Sequence, residues 1–224
     1  MKKSEIDALP LAGDVSFRER AIEPGRTALL LIDIQNGEYS PQKVRDEPQY
    51  AYFWDRVAGT VIPNGKRLLA ACRSAGVEVL FTTVECYTQD GRDRSLDYKV
   101  SGIFYAKGSW EAQVVDELKP LPNEIVIPKM SSSVFVSTNI AYVLRNLGIE
   151  YLVVMGILTD QCVESAVRDA CDEGFLVTLI DDACATKTQE RQDATLRAIK
   201  GYCRQRKTEQ VLAELSGWKQ QAAE

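Results

Sequence analysis

The hydrophobic pattern of the chain alternates between short apolar runs and longer amphipathic stretches. The run at residues 151–156 has no polar alternation, which is typical of a strand buried on both faces of a parallel sheet. Other apolar runs predict further strands, and apolar positions at helical spacing predict helices between them. The predicted strands are residues 27–33, 77–84, 124–129, 151–156, 175–181 and 202–206, and the predicted helices are residues 61–75, 110–118, 137–147, 161–173, 190–199 and 209–215. This alternation predicts an α/β domain whose parallel sheet is covered on both faces.

Two stretches between these elements lack a clear period. Residues 34–60 and 88–109 are predicted to be long loops, and loops of this length are often lids or binding loops. Residues 1–26 form a polar lead-in that the pattern does not assign to an element. A chain of 224 residues is long enough for one α/β domain and short for two. We therefore predict a lead-in, residues 1–26, followed by a single domain, residues 27–224.

Composition argues against several classes of protein. No apolar run approaches the roughly 20 residues of a membrane-spanning helix, and no long apolar segment follows the basic residues at the start. A net charge of −5 without a lysine or arginine cluster gives no reason to expect binding to nucleic acid. The six cysteines lack a paired spacing, which favours reduced thiols in a cytoplasmic protein. We therefore expect a cytoplasmic protein that binds neither nucleic acid nor a membrane.

The chain contains no histidine at all. This absence excludes a Ser-His-Asp or Cys-His hydrolase, and it excludes any metal site that needs imidazole ligands. Proton transfer in any reaction must then be carried out by a carboxylate, a lysine, a tyrosine or a thiol. We expect no metal and no other cofactor.

The end of the apolar run 151–156 is where we predict chemistry. The run breaks at Gly156, and a helix restarts with Asp160 as its N-cap. Cys162 then lies in the first turn of that helix, where unpaired backbone N–H groups and the helix dipole favour a thiolate over a thiol. The carboxyl ends of strands are also where open α/β sheets hold their ligands. A lone cysteine at a helix start is nevertheless more often a small buried apolar residue, so its neighbours must decide.

Two other predicted strands end on charged side chains, Asp33 and Lys129. Alone, Asp33 would suit the cap of a turn, and Lys129 would be read as a solvated surface charge. Together with Cys162, however, they can converge on one edge of the sheet, where Lys129 would lower the cysteine pKa below its usual value of about 8.5. Asp33 would take the thiol proton, and the thiolate would attack a carbonyl carbon to give a thioester that water cleaves. The backbone N–H groups of Leu158 and Cys162 would hold the oxyanion.

The segments around these residues resemble the isochorismatase-like cysteine hydrolases over residues 27–215. The segments are Leu-Leu-Leu-Ile-Asp33-Ile-Gln-Asn, Ile-Val-Ile-Pro-Lys129 and Gly156-Ile-Leu-Thr-Asp-Gln-Cys162-Val-Glu-Ser-Ala-Val-Arg-Asp-Ala170. The resemblance implies a three-layer α/β/α sandwich around a six-stranded, mostly parallel sheet, and a homodimer or homotetramer. It also implies a cis peptide bond between Ile157 and Leu158, which would aim the Leu158 N–H group into the oxyanion hole.

Two departures from the family pattern narrow the implied function. Nicotinamidases of this fold typically bind a metal through Asp and His, and this chain has no histidine. Members that cleave the vinyl ether of isochorismate often lack the cysteine, which is present here as Cys162. The resemblance therefore implies a cysteine amidohydrolase that cleaves a C–N bond of a small amide, ureido or carbamoyl compound and releases ammonia, nearest to the ureidoacrylate or biuret hydrolases.

Position alone makes Gln35, Asn36, Tyr39 and Glu85 the candidates for substrate contact, although each would equally suit a loop or a supporting role. Two alternatives to the amidohydrolase stay open at this point. One is an ether hydrolase of the isochorismatase type with Asp33 as the acid. The other is a catalytically inert protein of the same fold that binds a small molecule.

Overall fold

Six strands form one parallel sheet in the order β3-β2-β1-β4-β5-β6. The computed structural model describes residue 8 and residues 13–221, so part of the predicted lead-in, residues 1–7 and 9–12, lies outside the described residues. The strands are β1 Thr27–Ile32, β2 Glu78–Val84, β3 Ile125–Lys129, β4 Tyr151–Ile157, β5 Leu176–Ala185 and β6 Arg204–Arg206. The prediction of an α/β fold around a six-stranded parallel sheet is confirmed.

Helices pack on a sheet whose central strands, β1 and β4, are buried at every position. The α-helices are Pro41–Asp46, Ala51–Arg56, Ile62–Ala75, Leu96–Val100, Val134–Ser137, Ile140–Asn146, Glu164–Asp172, Gln189–Ile199 and Thr208–Gln221, with short 3₁₀ segments at Val15–Glu19, Pro48–Tyr50 and Asp116–Leu118. Helix Ile62–Ala75 packs against Thr208–Gln221, while Glu164–Asp172 packs against Val134–Ser137 and Gln189–Ile199. Among the described residues, no helix is both long and apolar enough to cross a membrane.

The prediction of a long loop at residues 34–60 is wrong for most of its length, since the short helix Pro41–Asp46 lies in its first half and longer helical structure fills its second half. Helix Ala51–Arg56 continues through a π-helical turn, Val57–Val61, into Ile62–Ala75. Phe53, Trp54 and other apolar side chains of this stretch are buried. Their spacing is helical, but Pro48, Gly59 and Pro63 in and beside the stretch argue against a helix in the sequence.

The predicted helix at residues 110–118 is absent except for the short 3₁₀ turn Asp116–Leu118. The residues around Val114 instead pair with the segment that follows β1, through an antiparallel bridge to Gln35. The backbone N–H of Asn36 donates to the Gln113 carbonyl at 2.9 Å, and the Val115 N–H donates to the Ile34 carbonyl at 3.1 Å. Tertiary hydrogen bonds therefore override the local helical pattern here.

Candidate active site

Asp33, Lys129 and Cys162 meet at the carboxyl ends of the strands. The Lys129 Nζ atom lies 2.8 Å from Asp33 Oδ2 and 3.4 Å from Cys162 Sγ. All three side chains are buried, with exposed fractions of 1% for Asp33, 0% for Lys129 and 8% for Cys162. The structure thus brings together the three residues that the sequence selected, although β2 lies between the strands that carry Asp33 and Lys129.

Strand β4 continues through Gly156, where the sequence predicted a break. Gly156 has a φ of +138°, and an added Cβ would lie 2.2 Å from the Ile32 carbonyl oxygen, so only glycine allows β4 to approach β1 this closely. The peptide bond between Ile157 and Leu158 is cis, as the family resemblance implied. Leu158 then lines the same cavity as Cys162.

The helix that carries the cysteine begins earlier than predicted. A π-helical turn, Thr159–Val163, leads into Glu164–Asp172, so Cys162 does lie in the first turn. Asp160 is inside this turn and does not cap it. Its carboxylate instead accepts hydrogen bonds from the Thr186 hydroxyl and the Arg191 guanidinium, which fasten the turn to the segment after β5.

Asp33 is held by more than the lysine. Its Oδ1 atom accepts a hydrogen bond from the Thr82 hydroxyl at 2.6 Å, and its backbone N–H donates to the Thr82 carbonyl at 3.1 Å. Asp33 has a φ of +55°, a left-handed conformation that aspartate adopts more readily than most residues. The Lys129 ammonium also donates to the Ser131 carbonyl at 2.9 Å. The ion pair therefore has its orientation fixed on both sides.

Tyr98 is a fourth member of the cluster that the sequence did not predict. Its hydroxyl lies 3.2 Å from Lys129 Nζ and 3.7 Å from Cys162 Sγ, and the residue is 2% exposed. Tyr98 belongs to the short helix Leu96–Val100, inside the predicted loop 88–109. Ser95 caps this helix, and that serine is a local signal that could have revealed the helix.

Burial dominates the electrostatics of the cysteine. It raises the pKa of the Cys162 thiol to about 12, with Asp33 acting in the same direction while Lys129 and Tyr98 oppose it. The lowered pKa predicted for the Cys162 thiol is therefore wrong, because the effect of burial outweighs that of the Lys129 cation. Burial alone would lower the pKa of Lys129, but Asp33 and Cys162 hold it above its usual value. At neutral pH the cluster is thus a thiol beside an Asp33–Lys129 ion pair.

The cluster opens into a cavity of about 460 Å³. Lys187 lines this cavity, and its ammonium lies 4.1 Å, 4.7 Å and 5.2 Å from the ring centroids of Tyr50, Phe53 and Trp54. Burial lowers the pKa of Lys187, while Glu38 and Glu47 act in the opposite direction. Within the described part of the chain, no carboxylate lies within 4.0 Å of this ammonium.

The other charged groups of the cavity wall have partners. Lys43 forms an ion pair with Glu47 at 3.2 Å. Glu38 accepts a hydrogen bond from the Tyr105 hydroxyl at 2.9 Å, and burial raises the Glu38 pKa. Within the described ranges, no group of three or more Cys, Asp or Glu side chains is arranged to hold a metal ion.

The four residues proposed for substrate contact, Gln35, Asn36, Tyr39 and Glu85, are not among the described residues that line the cavity. Each of them instead holds a loop in place. The partners are both backbone groups of Val84 for Gln35, the Trp110 carbonyl for Asn36, the Trp54 ring for Tyr39 and the Gly108 N–H for Glu85. These residues were proposed because they follow strand ends in the sequence. A side chain in that position can face the cavity or pack against a neighbouring loop, and the sequence does not distinguish the two.

Known proteins share this fold and these segments. The model of the isochorismatase domain matches residues 27–211. Ureidoacrylate amidohydrolase RutB of Pseudomonas savastanoi pv. phaseolicola is 35% identical over 198 residues, which cover 81% of this chain and 80% of that protein. Its namesake from Rhizobium rhizogenes is 34% identical over 178 residues, or 72% and 71% of the two chains.

Solved structures agree with this assignment at the level of the fold. A cysteine hydrolase from Pseudomonas syringae pv. phaseolicola 1448A superposes with a TM-score of 0.78 at 21% identity, over 89% of this chain and 96% of that one. N-carbamoylsarcosine amidase from Thermoplasma acidophilum gives a TM-score of 0.65 at 20% identity, over 82% and 97% of the two chains. The chain belongs to the isochorismatase family.

Proposed function

We propose that this chain is a cysteine-dependent amidohydrolase, which cleaves a C–N bond of a small ureido or carbamoyl compound through a thioester and releases ammonia. The observation that carries the proposal is the buried contact of Lys129 with both Asp33 and Cys162 at the floor of a cavity. The names of the curated relatives, ureidoacrylate amidohydrolases, support the choice of an amide bond.

The reaction begins with transfer of the thiol proton from Cys162 to the carboxylate of Asp33. The sulfur attacks the carbonyl carbon, and the oxyanion that forms is held by the backbone N–H groups of Leu158 and Cys162. Asp33 returns the proton to the departing nitrogen, which leaves as ammonia when the C–N bond breaks. A water molecule then gives its proton to Asp33 and attacks the thioester, and the thiol is restored. Lys129 keeps its charge throughout and stabilises both anions.

Lys187 suits the far end of such a substrate. Its ammonium faces the cavity against aromatic rings and has no ion-pair partner among the described residues. A ureido acid carries a carboxylate that would supply this partner, whereas a neutral amide would not. We therefore include a carboxylate in the proposed substrate. The homodimer or homotetramer, the cytoplasmic location and the single domain over residues 27–224 stay predictions from the sequence.

The test is turnover of a panel of ureido and carbamoyl acids, ureidoacrylate included, measured as released ammonia. We expect Cys162→Ala to lose at least about a thousandfold in kcat/KM and to form no acyl adduct, whereas mass spectrometry of the wild type should show the adduct on Cys162. Cys72→Ala is the matched control, because it removes a buried thiol from helix Ile62–Ala75, away from the cavity. Equal turnover by wild type and Cys162→Ala would refute the mechanism, and absence of ammonia from every compound would favour a binding protein.

A further inference from the structure

The hydroxyl of Tyr98 has two partners of opposite hydrogen-bonding character. Lys129 Nζ lies 3.2 Å from the Tyr98 oxygen, and an ammonium group can only donate. The oxygen must therefore accept from Lys129, which leaves the hydroxyl hydrogen for another acceptor. The Cys162 sulfur, 3.7 Å away, lies within reach of that hydrogen.

We propose that Tyr98 is a catalytic residue that donates a hydrogen bond to the Cys162 sulfur whenever the sulfur carries negative charge. This role rests on the proposed function, in which the sulfur becomes anionic twice: before it attacks the carbonyl carbon and again when the thioester breaks. Lys129 polarises the hydroxyl through the bond that it donates, which makes the hydroxyl a better donor. Tyr98 transfers no proton, so the reaction remains balanced with Asp33 as the only group that moves protons.

The position of Tyr98 is fixed before any substrate binds. Its backbone N–H donates to the Ser95 hydroxyl at 3.2 Å, and its carbonyl accepts from the Ile103 N–H at 3.0 Å. The Ser95 N–H in turn donates to the Met130 carbonyl at 3.0 Å, directly after Lys129. The short helix is thereby tied to the strand end that supplies the lysine, so Tyr98 and Lys129 keep their relative positions.

Among the described residues, three titratable groups act on the sulfur, each from a different element. They are Asp33 after β1, Lys129 at the end of β3 and Tyr98 in the helix Leu96–Val100. Burial raises the pKa of Cys162 and Asp33 acts in the same direction, while Lys129 and the Tyr98 hydrogen bond lower this pKa. Removal of the Tyr98 hydroxyl should therefore raise the pKa of the thiol further.

The experiment measures the rate at which iodoacetamide alkylates Cys162 as a function of pH, with the modified peptide resolved from the other five cysteines by mass spectrometry. Below the thiol pKa this rate is proportional to the thiolate fraction. We expect Tyr98→Phe to slow alkylation about tenfold at each pH, which corresponds to a rise of about one pKa unit. On a substrate found in the panel, kcat should fall by a similar factor with little change in KM, since the hydrogen bond forms to the charged sulfur.

Tyr105→Phe is the matched control for the alkylation profile. The Tyr105 hydroxyl lies in the same cavity wall, but it donates to the Gly37 carbonyl at 2.8 Å and to Glu38, not to the sulfur. We expect its profile to match that of the wild type. A wild-type profile in Tyr98→Phe, with the urea midpoint showing a folded protein, would overturn the role of Tyr98; so would equal slowing in both variants. Because alkylation needs no substrate, a failure of the proposed reaction would be seen separately in Cys162→Ala.

Discussion

The ion pair of Asp33 and Lys129 should reveal itself in stability as clearly as in activity. Replacement of Lys129 by methionine keeps an unbranched side chain of similar volume and removes its charge. The Asp33 carboxylate, 1% exposed, then stays buried without a cation. At the observed separation of 2.8 Å the attraction amounts to about 6 kcal/mol for an effective dielectric constant of about 20. The hydrogen bond from the Thr82 hydroxyl and relaxation of the site recover part of this, so we expect Lys129→Met to lower the unfolding free energy by about 3–5 kcal/mol.

The double variant Asp33→Asn/Lys129→Met separates charge from packing. It removes both charges and keeps the side-chain volumes nearly unchanged, so no uncompensated ion remains. Replacement of a buried pair by neutral groups is often neutral or stabilising. We therefore expect the double variant to recover at least about 2 kcal/mol relative to Lys129→Met, as a coupling between neighbouring sites. It should nevertheless remain inactive, because the proton acceptor and the cation are both lost.

The wild type, Asp33→Asn, Lys129→Met and the double variant form a double-mutant cycle. Urea unfolding at pH 7 measures the unfolding free energy of all four proteins, provided that its dependence on urea concentration is the same for each. A loss below about 1 kcal/mol in Lys129→Met would refute the view that the carboxylate is buried beside a required cation. A double variant less stable than both single variants would refute the compensation of charge.

Three further predictions concern other parts of the molecule. Gly156→Ala should lower the free energy of unfolding in urea by more than about 2 kcal/mol, because its Cβ would meet the backbone of β1. Gly174→Ala, also at positive φ but in open space, should lower it less. Equal losses in the two variants would contradict the close approach of β4 to β1. Burial raises the thiol pKa of Cys184 from 9.0 to about 12, so the unfolded chain releases this proton first as pH rises, and stability present below pH 9 is lost above it. Between neutral pH and pH 10 that thiol should account for about 1.4 kcal/mol of lost stability, and Cys184→Ala should lose that much less than the wild type over this range. Lys187→Gln should lower kcat/KM for ureido acids about 10- to 100-fold and leave a matched neutral amide unchanged; a similar loss for both would exclude a carboxylate contact.

Much of the fold was accessible from the chain because its signals are local. The apolar run 151–156 and its counterparts are typical of buried strands, and their ends place Asp33, Lys129 and Cys162 at one edge of a parallel sheet. The predicted start of the helix that carries Cys162 was less accurate. Aspartate is a common N-cap residue, but the Asp160 carboxylate accepts hydrogen bonds from Thr186 and Arg191 instead.

The missed parts of the site are those that long-range packing decides. Tyr98 reaches the sulfur because a loop folds over the sheet edge, and no periodicity marks which residue of such a loop points inward. Lys187 follows β5 and lies on aromatic rings from residues 50–54, a contact between distant segments. The predicted pKa of the Cys162 thiol was wrong for a related reason. A helix start and a cation can be predicted from the sequence, whereas the degree of burial is known only from the packed structure.

The strand order divides the molecule between two consecutive lengths of chain. Strands β1 to β3 build one half of the sheet and strands β4 to β6 the other, and within the sheet the two halves meet where β1 adjoins β4. The acid and the ammonium come from the first length and the sulfur from the second. A protein expressed as two pieces, divided at the exposed turn around Gly148, would have no complete set of reactive groups in either piece. Ammonia release on mixing would then show that the two pieces have associated and that β1 again lies beside β4.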